Sequence, residues 1–105
     1  QALPGWQRDI IESHHIHKQD APSGTALALG RAVVEGGGPA PHYASLRAGD
    51  IVGEHLVQFT GVGERIELVH RATNRDIFAR GALHCAVALA KRPAGHHAVI
   101  ELLSA

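Results

Sequence analysis

The run Asp20-Ala21-Pro22-Ser23-Gly24-Thr25-Ala26 constrains the fold more than any other stretch of this chain. Pro22 disfavours helical geometry at Ala21 and Ser23 is a good N-cap, so a helix is expected to start at Gly24 and run to about Glu35, where Gly36-Gly37-Gly38-Pro39 stops it. Just upstream, Asp9-Ile10-Ile11-Glu12 reads as a short strand with His14 and His15 at its C-terminal end. The chain therefore runs from a strand through a polar loop into a helix N-terminus, and that geometry suits chemistry on an anion. The Gly24 and Thr25 amides fall in a first helical turn, where N–H groups lack intrahelical partners and sit at the positive end of the helix dipole. Gly24 lets a ligand approach the backbone, Thr25 adds a hydroxyl, and Lys18 adds a mobile cation. His14 and His15 add side chains of a type that titrates near neutrality. Two anion readers beside an acid point to a dianionic substrate that must be protonated.

From Tyr43 the hydrophobic period is two. Asp50 to Phe59 and Glu64 to His70 read as strands joined by a hairpin at Thr60-Gly61-Val62-Gly63, with Ile51, Gly53, His55, Val57 and Phe59 sharing one face. Both strands are long for so small a domain, which anticipates another subunit on the second face of their sheet. A last helix is expected from near Asn74 to Arg92, with Phe78, Ala82, Cys85 and Leu89 on one stripe and Pro93 at its end. The resulting expectation is an α+β fold, with a mixed or antiparallel sheet of about four strands and two main helices on one face. Residues 1–8 read as an arm, 9–92 as the domain and 93–105 as a tail. The apolar run Ala98 to Leu103 has no obvious place in the domain core.

Ten basic and ten acidic residues cancel, which argues against nucleic acid or an anionic membrane as partner. The single Cys85 excludes an internal disulfide framework and suits a reducing, cytoplasmic setting, and no apolar run approaches the ~20 residues of a membrane span. No Gly-x-Gly-x-x-Gly turn follows a strand, so no cofactor-binding residue is assigned and a Rossmann-like nucleotide domain is absent from this chain.

The string Glu12-Ser13-His14-His15-Ile16-His17-Lys18-Gln19-Asp20-Ala21-Pro22-Ser23-Gly24-Thr25-Ala26 resembles the E-x-H-H-x-x-K-x-D-A-P-S-G-T-A signature of dihydrodipicolinate reductase (4-hydroxy-tetrahydrodipicolinate reductase). Ser45-Leu46-Arg47-Ala48-Gly49 through Gly53-Glu54-His55 resembles a second segment of that family, and Glu64 to Ala72 with Arg75 to Ala82 a third. Ile16 stands where many members carry a basic residue. The resemblance implies the substrate-binding and oligomerisation domain of an enzyme that reduces its substrate with NADPH or NADH on the diaminopimelate route to lysine. The cofactor would be held mainly by an N-terminal domain, to which the tail 93–105 would return. It further implies His14 as the acid that protonates the substrate, His15 as a substrate ligand, and Lys18 as a second proton donor or carboxylate ligand. Gly24 and Thr25 become the cradle for the other carboxylate. The expected partners are a dicarboxylate and further copies of the chain, as a homotetramer through the sheet.

Each assignment has a plainer counterpart. His14 and His15 can be two solvated imidazoles at a strand end, Lys18 a surface lysine, and Asp20 either the partner of Lys18 or a cap on the turn before Pro22. The domain can also be a dicarboxylate-binding or oligomerisation module without turnover. Nine histidines, with His14, His15 and His17 close together, raise a metal-binding domain as a further alternative, although no fourth ligand is fixed by the sequence and no metal ligand is assigned. His70 and Arg71 are not assigned a catalytic role.

Overall fold

A computed structural model describes residues 3–103. The elements in order are β1 (Gln7–His14), α1 (Gly24–Glu35), β2 (His42–Arg47), β3 (Gly53–Gly61), β4 (Glu64–Ala72), α2 (Asp76–Ala90) and α3 (Val99–Leu103). The chain divides into two compact units at Thr73 and Asn74.

The first unit is a four-stranded mixed sheet in the order β2-β1-β3-β4. β1 and β2 are parallel, and a parallel neighbour needs a crossover, which α1 supplies. β3 and β4 form an antiparallel hairpin, with β3 antiparallel to β1 on its other side. The turn needs Gly63 at φ 78°, a left-handed conformation that glycine adopts at no steric cost.

Helix α1 begins at Gly24 as Ser23 dictates: the Ser23 hydroxyl accepts the Ala26 N–H at 3.1 Å, satisfying one amide of the first turn. Its buried side packs Ala26 with Ile10 and Val57 into the core, flanked by Leu29, Val33 and Phe59. Ile10 is fully buried, and burial of such a side chain contributes about 1.5–3 kcal/mol. Gly30 is there for space, since a Cβ on it would lie 1.8 Å from the Tyr43 hydroxyl oxygen of β2.

Strands alternate their faces, so Ile10, Glu12 and His14 all point to the side that α1 covers. Register sets Tyr43 and Val57 beside Ile10, then Ser45 and His55 beside Glu12, then Arg47 beside His14. One face of the sheet is thus apolar beneath α1 and polar toward the C-terminal end of β1. The opposite face leaves Ile11, Leu46 and Val69 exposed.

Three strands differ in extent from the sequence expectation, β4 running past His70 to Ala72. β1 begins at Gln7 rather than Asp9, because Arg8 is buried and spends its guanidinium on the carbonyls of Trp6 and Leu3. β3 begins at Gly53 rather than Asp50, because Gly49 at φ 53° makes a turn pinned to the end of β1 by Ala48 N–H donating to His14 C=O at 2.9 Å.

In the second unit Asn74 Oδ1 accepts the Asp76 N–H at 2.8 Å and so starts α2. The apolar run that had no place in the core forms α3, with Leu102 buried and its carbonyl 3.2 Å from His84 Nε2 of α2. Among the described residues no helix is long and apolar enough to cross a membrane.

Candidate functional site

Glu12 is the hub of the polar end of the sheet. Its side chain is wholly inaccessible to solvent. A buried carboxylate is tolerated only if its lone pairs are met by donors, and here they are. Arg47 grips it with a two-pronged fork, Nη1 to Oε1 at 2.8 Å and Nη2 to Oε2 at 2.9 Å. The Ser45 hydroxyl and the Ser23 amide donate to Oε2 at 2.8 and 3.1 Å, and His14 Nδ1 lies 2.6 Å from Oε1. Burial alone would raise the Glu12 pKa, but the donors from Arg47, Ser45, His14 and Ser23 outweigh it and hold the carboxyl at about 2.

Arg47 also fixes the loop between β1 and α1, donating from Nε to Lys18 C=O at 3.2 Å and from Nη2 to Asp20 C=O at 2.6 Å. Its guanidinium is raised further above its ordinary pKa by the Glu12 hydrogen bonds. One arginine therefore ties together the strand end that carries His14, the loop that carries Lys18 and, through Glu12 and the Ser23 amide, the start of α1 at Gly24 and Thr25.

His14 sits at the end of β1 with only 11% of its side chain exposed. The His55 ring meets it edge to face, centroids 5.2 Å apart at 74°. His55 Nε2 is 3.0 Å from the Ser23 hydroxyl, which links the same ring to the N-cap of α1. Burial, with a contribution from His14, lowers the His55 pKa. His15 turns its Nδ1 to accept the His17 amide at 3.2 Å. Lys18 Nζ lies 3.0 Å from Asp20 Oδ1, and that pairing lowers the Asp20 pKa. Of the two roles open for Asp20, the side chain takes the partner of Lys18, while its carbonyl anchors the loop.

Gly24 and Thr25 are exposed at the first turn of α1. A Cβ on Gly24 would meet nothing within 4 Å, so internal packing makes no demand for glycine at that position. Gly38, in the glycine run after α1, is a packing residue, since a Cβ there would lie 2.4 Å from the Arg8 guanidinium carbon. The glycine run after α1 is therefore a packing feature, and it follows a helix where a dinucleotide-phosphate turn follows a strand. Among the described residues no three His, Cys, Asp or Glu side chains converge to hold a metal ion. His70 lies opposite His55 in the β3–β4 register, and Arg71 pairs with Glu54 at 3.6 Å.

Sequence reasoning assigned His14 and Lys18 but no role to Glu12, Ser45, Arg47 or His55. A signal existed, because Glu12 precedes His14 by one strand period and Ser45 and Arg47 share a period of their own. Only the parallel register of β1 and β2 shows that the two pairs meet.

These features define an α+β domain built on a strand–helix–strand unit, with a buried carboxylate–guanidinium hub beneath a strand-end histidine. Residues 1–103 match the family described as "Dihydrodipicolinate reductase, C-terminus", and the chain belongs to that family. It is 71% identical over 101 residues to the 4-hydroxy-tetrahydrodipicolinate reductase of Xanthomonas axonopodis pv. citri (strain 306), a match covering 96% of this chain and 42% of that protein. It is 72% identical over 103 residues to the same reductase of Stenotrophomonas maltophilia (strain K279a), covering 98% of this chain and 43% of the relative. The chain thus spans about two fifths of the length of these relatives. Among solved structures, a dipicolinate-bound dihydrodipicolinate reductase from Paenisporosarcina sp. TG-14 is similar at a TM-score of 0.64 and 28% identity, over 73% of this chain and 37% of that one.

Proposed function

We propose that this chain is the substrate-binding and oligomerisation domain of a cytoplasmic 4-hydroxy-tetrahydrodipicolinate reductase, acting on the diaminopimelate route to lysine. The observation that carries the proposal is the single hydrogen-bonded frame, centred on Glu12 and Arg47, that joins the His14 strand end, the Lys18 loop and the N-terminus of α1. The dipicolinate bound by the Paenisporosarcina relative is a planar dianion, the ligand class for which two separated anion readers are suited.

In this reading Lys18 takes one carboxylate of the substrate, leaving Asp20 to do so, and the amides of Gly24 and Thr25 with the Thr25 hydroxyl take the other. His15 lines the same loop as a substrate ligand. His14 donates the proton that completes reduction of the ring, with Lys18 as the second candidate donor. Placing a cation and an acid where negative charge develops on the ring lowers the barrier to its reduction. The reducing equivalent comes from NADH or NADPH, held by an N-terminal nucleotide-binding domain. The working domain, expected over 9–92, reaches back to Gln7 through β1, and the arm expected over 1–8 shortens to the residues before Gln7. The tail 93–105 returns to the nucleotide domain, for which the exposed Val99 and Leu103 of α3 are available. The exposed Ile11, Leu46 and Val69 on the sheet face away from α1 suit subunit contact in a homotetramer.

The test is a reductase assembled from this domain and the N-terminal portion of the Xanthomonas axonopodis pv. citri relative. His14→Ala should lower kcat by about a hundredfold or more while changing KM much less, the signature of a lost proton donor. A raised KM with unchanged kcat would make His14 a ligand and reject its role as acid. The second reading, a dicarboxylate-binding module without turnover, is favoured for the chain by itself, because its described residues lack a nucleotide turn.

A further inference from the structure

We infer that Glu12 is a positioning residue for the proton donor: it holds the His14 imidazole by Nδ1 and thereby leaves Nε2 as the nitrogen that serves the reacting molecule. The inference rests on the proposed reading of His14 as the acid, and it adds a reason why a buried carboxylate stands one strand period before it.

The argument begins with what a carboxylate can do. An ionised carboxyl only accepts, so the 2.6 Å contact to Oε1 requires a hydrogen on His14 Nδ1, whether the ring is neutral or charged. The neutral ring then has its lone pair on Nε2, and the charged ring has only its Nε2–H left to give. Proton transfer breaks that Nε2–H bond, leaves the electron pair on Nε2 and forms a new bond from the proton to the basic atom of the reduced substrate. The imidazole left behind is the Nδ1–H tautomer that Glu12 already holds, so no rearrangement of the ring follows the transfer.

Glu12 is itself held by hydrogen bonds at both oxygens. Arg47 Nη2, Ser45 Oγ and the Ser23 amide converge on Oε2, and Arg47 Nη1 joins His14 on Oε1. Arg47 also balances the charge, so the carboxylate acts on His14 as a fixed acceptor and not as an uncompensated anion. The space around Nε2 is kept by a second device. Gly53 pairs with Ala72 in the β3–β4 register, is buried, and would bring a Cβ to 3.3 Å from His14 Nε2 if it carried one. A side chain at position 53 would crowd the nitrogen that is to give the proton.

The wild-type ring reports the arrangement directly. Nitrogen-15 NMR of the histidine rings should show a hydrogen on His14 Nδ1 in the neutral and the charged ring alike. A neutral ring protonated at Nε2 instead of Nδ1, or a mixture of both tautomers, would overturn the inference without any variant. Glu12→Gln makes the second arm. The three donors at Oε2 demand the amide oxygen there, which turns the amide NH2 toward His14 and should invert the tautomer; an unchanged tautomer counts against the inference. In the assembled reductase Glu12→Gln should lower kcat about tenfold or more with KM nearly unchanged, and should cost less than about twofold once His14→Ala is already present. An equal loss with and without His14 would mean that Glu12 serves the fold only, and the inference would fall. A His14→Ala enzyme with full kcat would instead reject the reading of His14 as acid, while the NMR would still show whether Glu12 orients that ring.

Discussion

Replacing Glu12 by glutamine should change how this domain responds to acid, and the size of the effect follows from the structure. Glu12 is wholly buried, and its hydrogen bonds hold its pKa at about 2 against an ordinary 4.5. At about 1.4 kcal/mol for each tenfold change in proton affinity, that difference corresponds to about 3 kcal/mol of stability. A carboxyl whose folded-state pKa is depressed contributes fully above pH 4.5, and the contribution drains away as pH falls toward 2. Glu12→Gln removes the titrating group, and at neutral pH it should destabilise by about 3–5 kcal/mol because Arg47 loses its charged partner. The gap between wild type and variant should therefore narrow by about 3 kcal/mol between pH 5 and pH 2. Urea unfolding at a series of pH values measures this, with fluorescence of Trp6 as the probe, because that indole packs against Gly61 in the unit that contains Glu12. Parallel pH profiles for the two proteins would refute the reasoning, since they would mean that Glu12 titrates in the folded protein much as it does in the unfolded chain.

Two further outcomes are expected. Asp20→Asn removes the carboxylate that pairs with Lys18 while leaving its backbone carbonyl on Arg47, so affinity for pyridine-2,6-dicarboxylate should rise by about threefold in a calorimetric titration; weaker binding would show that Asp20 orients the lysine rather than competing for it. His55 has a pKa lowered by burial, so the folded state resists its protonation: the stability it contributes is present above pH 6.5 and falls as pH drops below that value. His55→Gln should flatten the stability profile just below about pH 6.5, and an unchanged slope there would exclude His55 as its source.

Much of the fold was legible because its signals are local. Pro22, Ser23 and Gly24 set the start of α1 within a few residues of chain, and the glycine-bearing hairpin follows from Gly61 to Gly63. What escaped was tertiary. Arg8 looked like part of an arm because nothing local says that a buried arginine will be satisfied by two carbonyls, and Gly49 looked like the approach to a strand until its backbone turned. The run from Ala98 onward looked partnerless because α2 was read for one stripe only. The site divides in the same way. His14 and Lys18 were visible by residue type and position, but the Glu12 frame was not, since Ser45 and Arg47 lie 33 and 35 residues further along the chain and meet Glu12 only through strand register.

The central claim is that this domain carries a dicarboxylate site of which Lys18 is part, and calorimetric titration with pyridine-2,6-dicarboxylate in chelator-treated buffer tests it most directly, metal being removed because the ligand itself chelates. The account predicts saturable binding that Lys18→Ala weakens about tenfold, the lower end of what a hydrogen bond to a charged group supplies, because Asp20 already occupies the lysine in the free protein. Saturable binding with the same affinity in Lys18→Ala would contradict it.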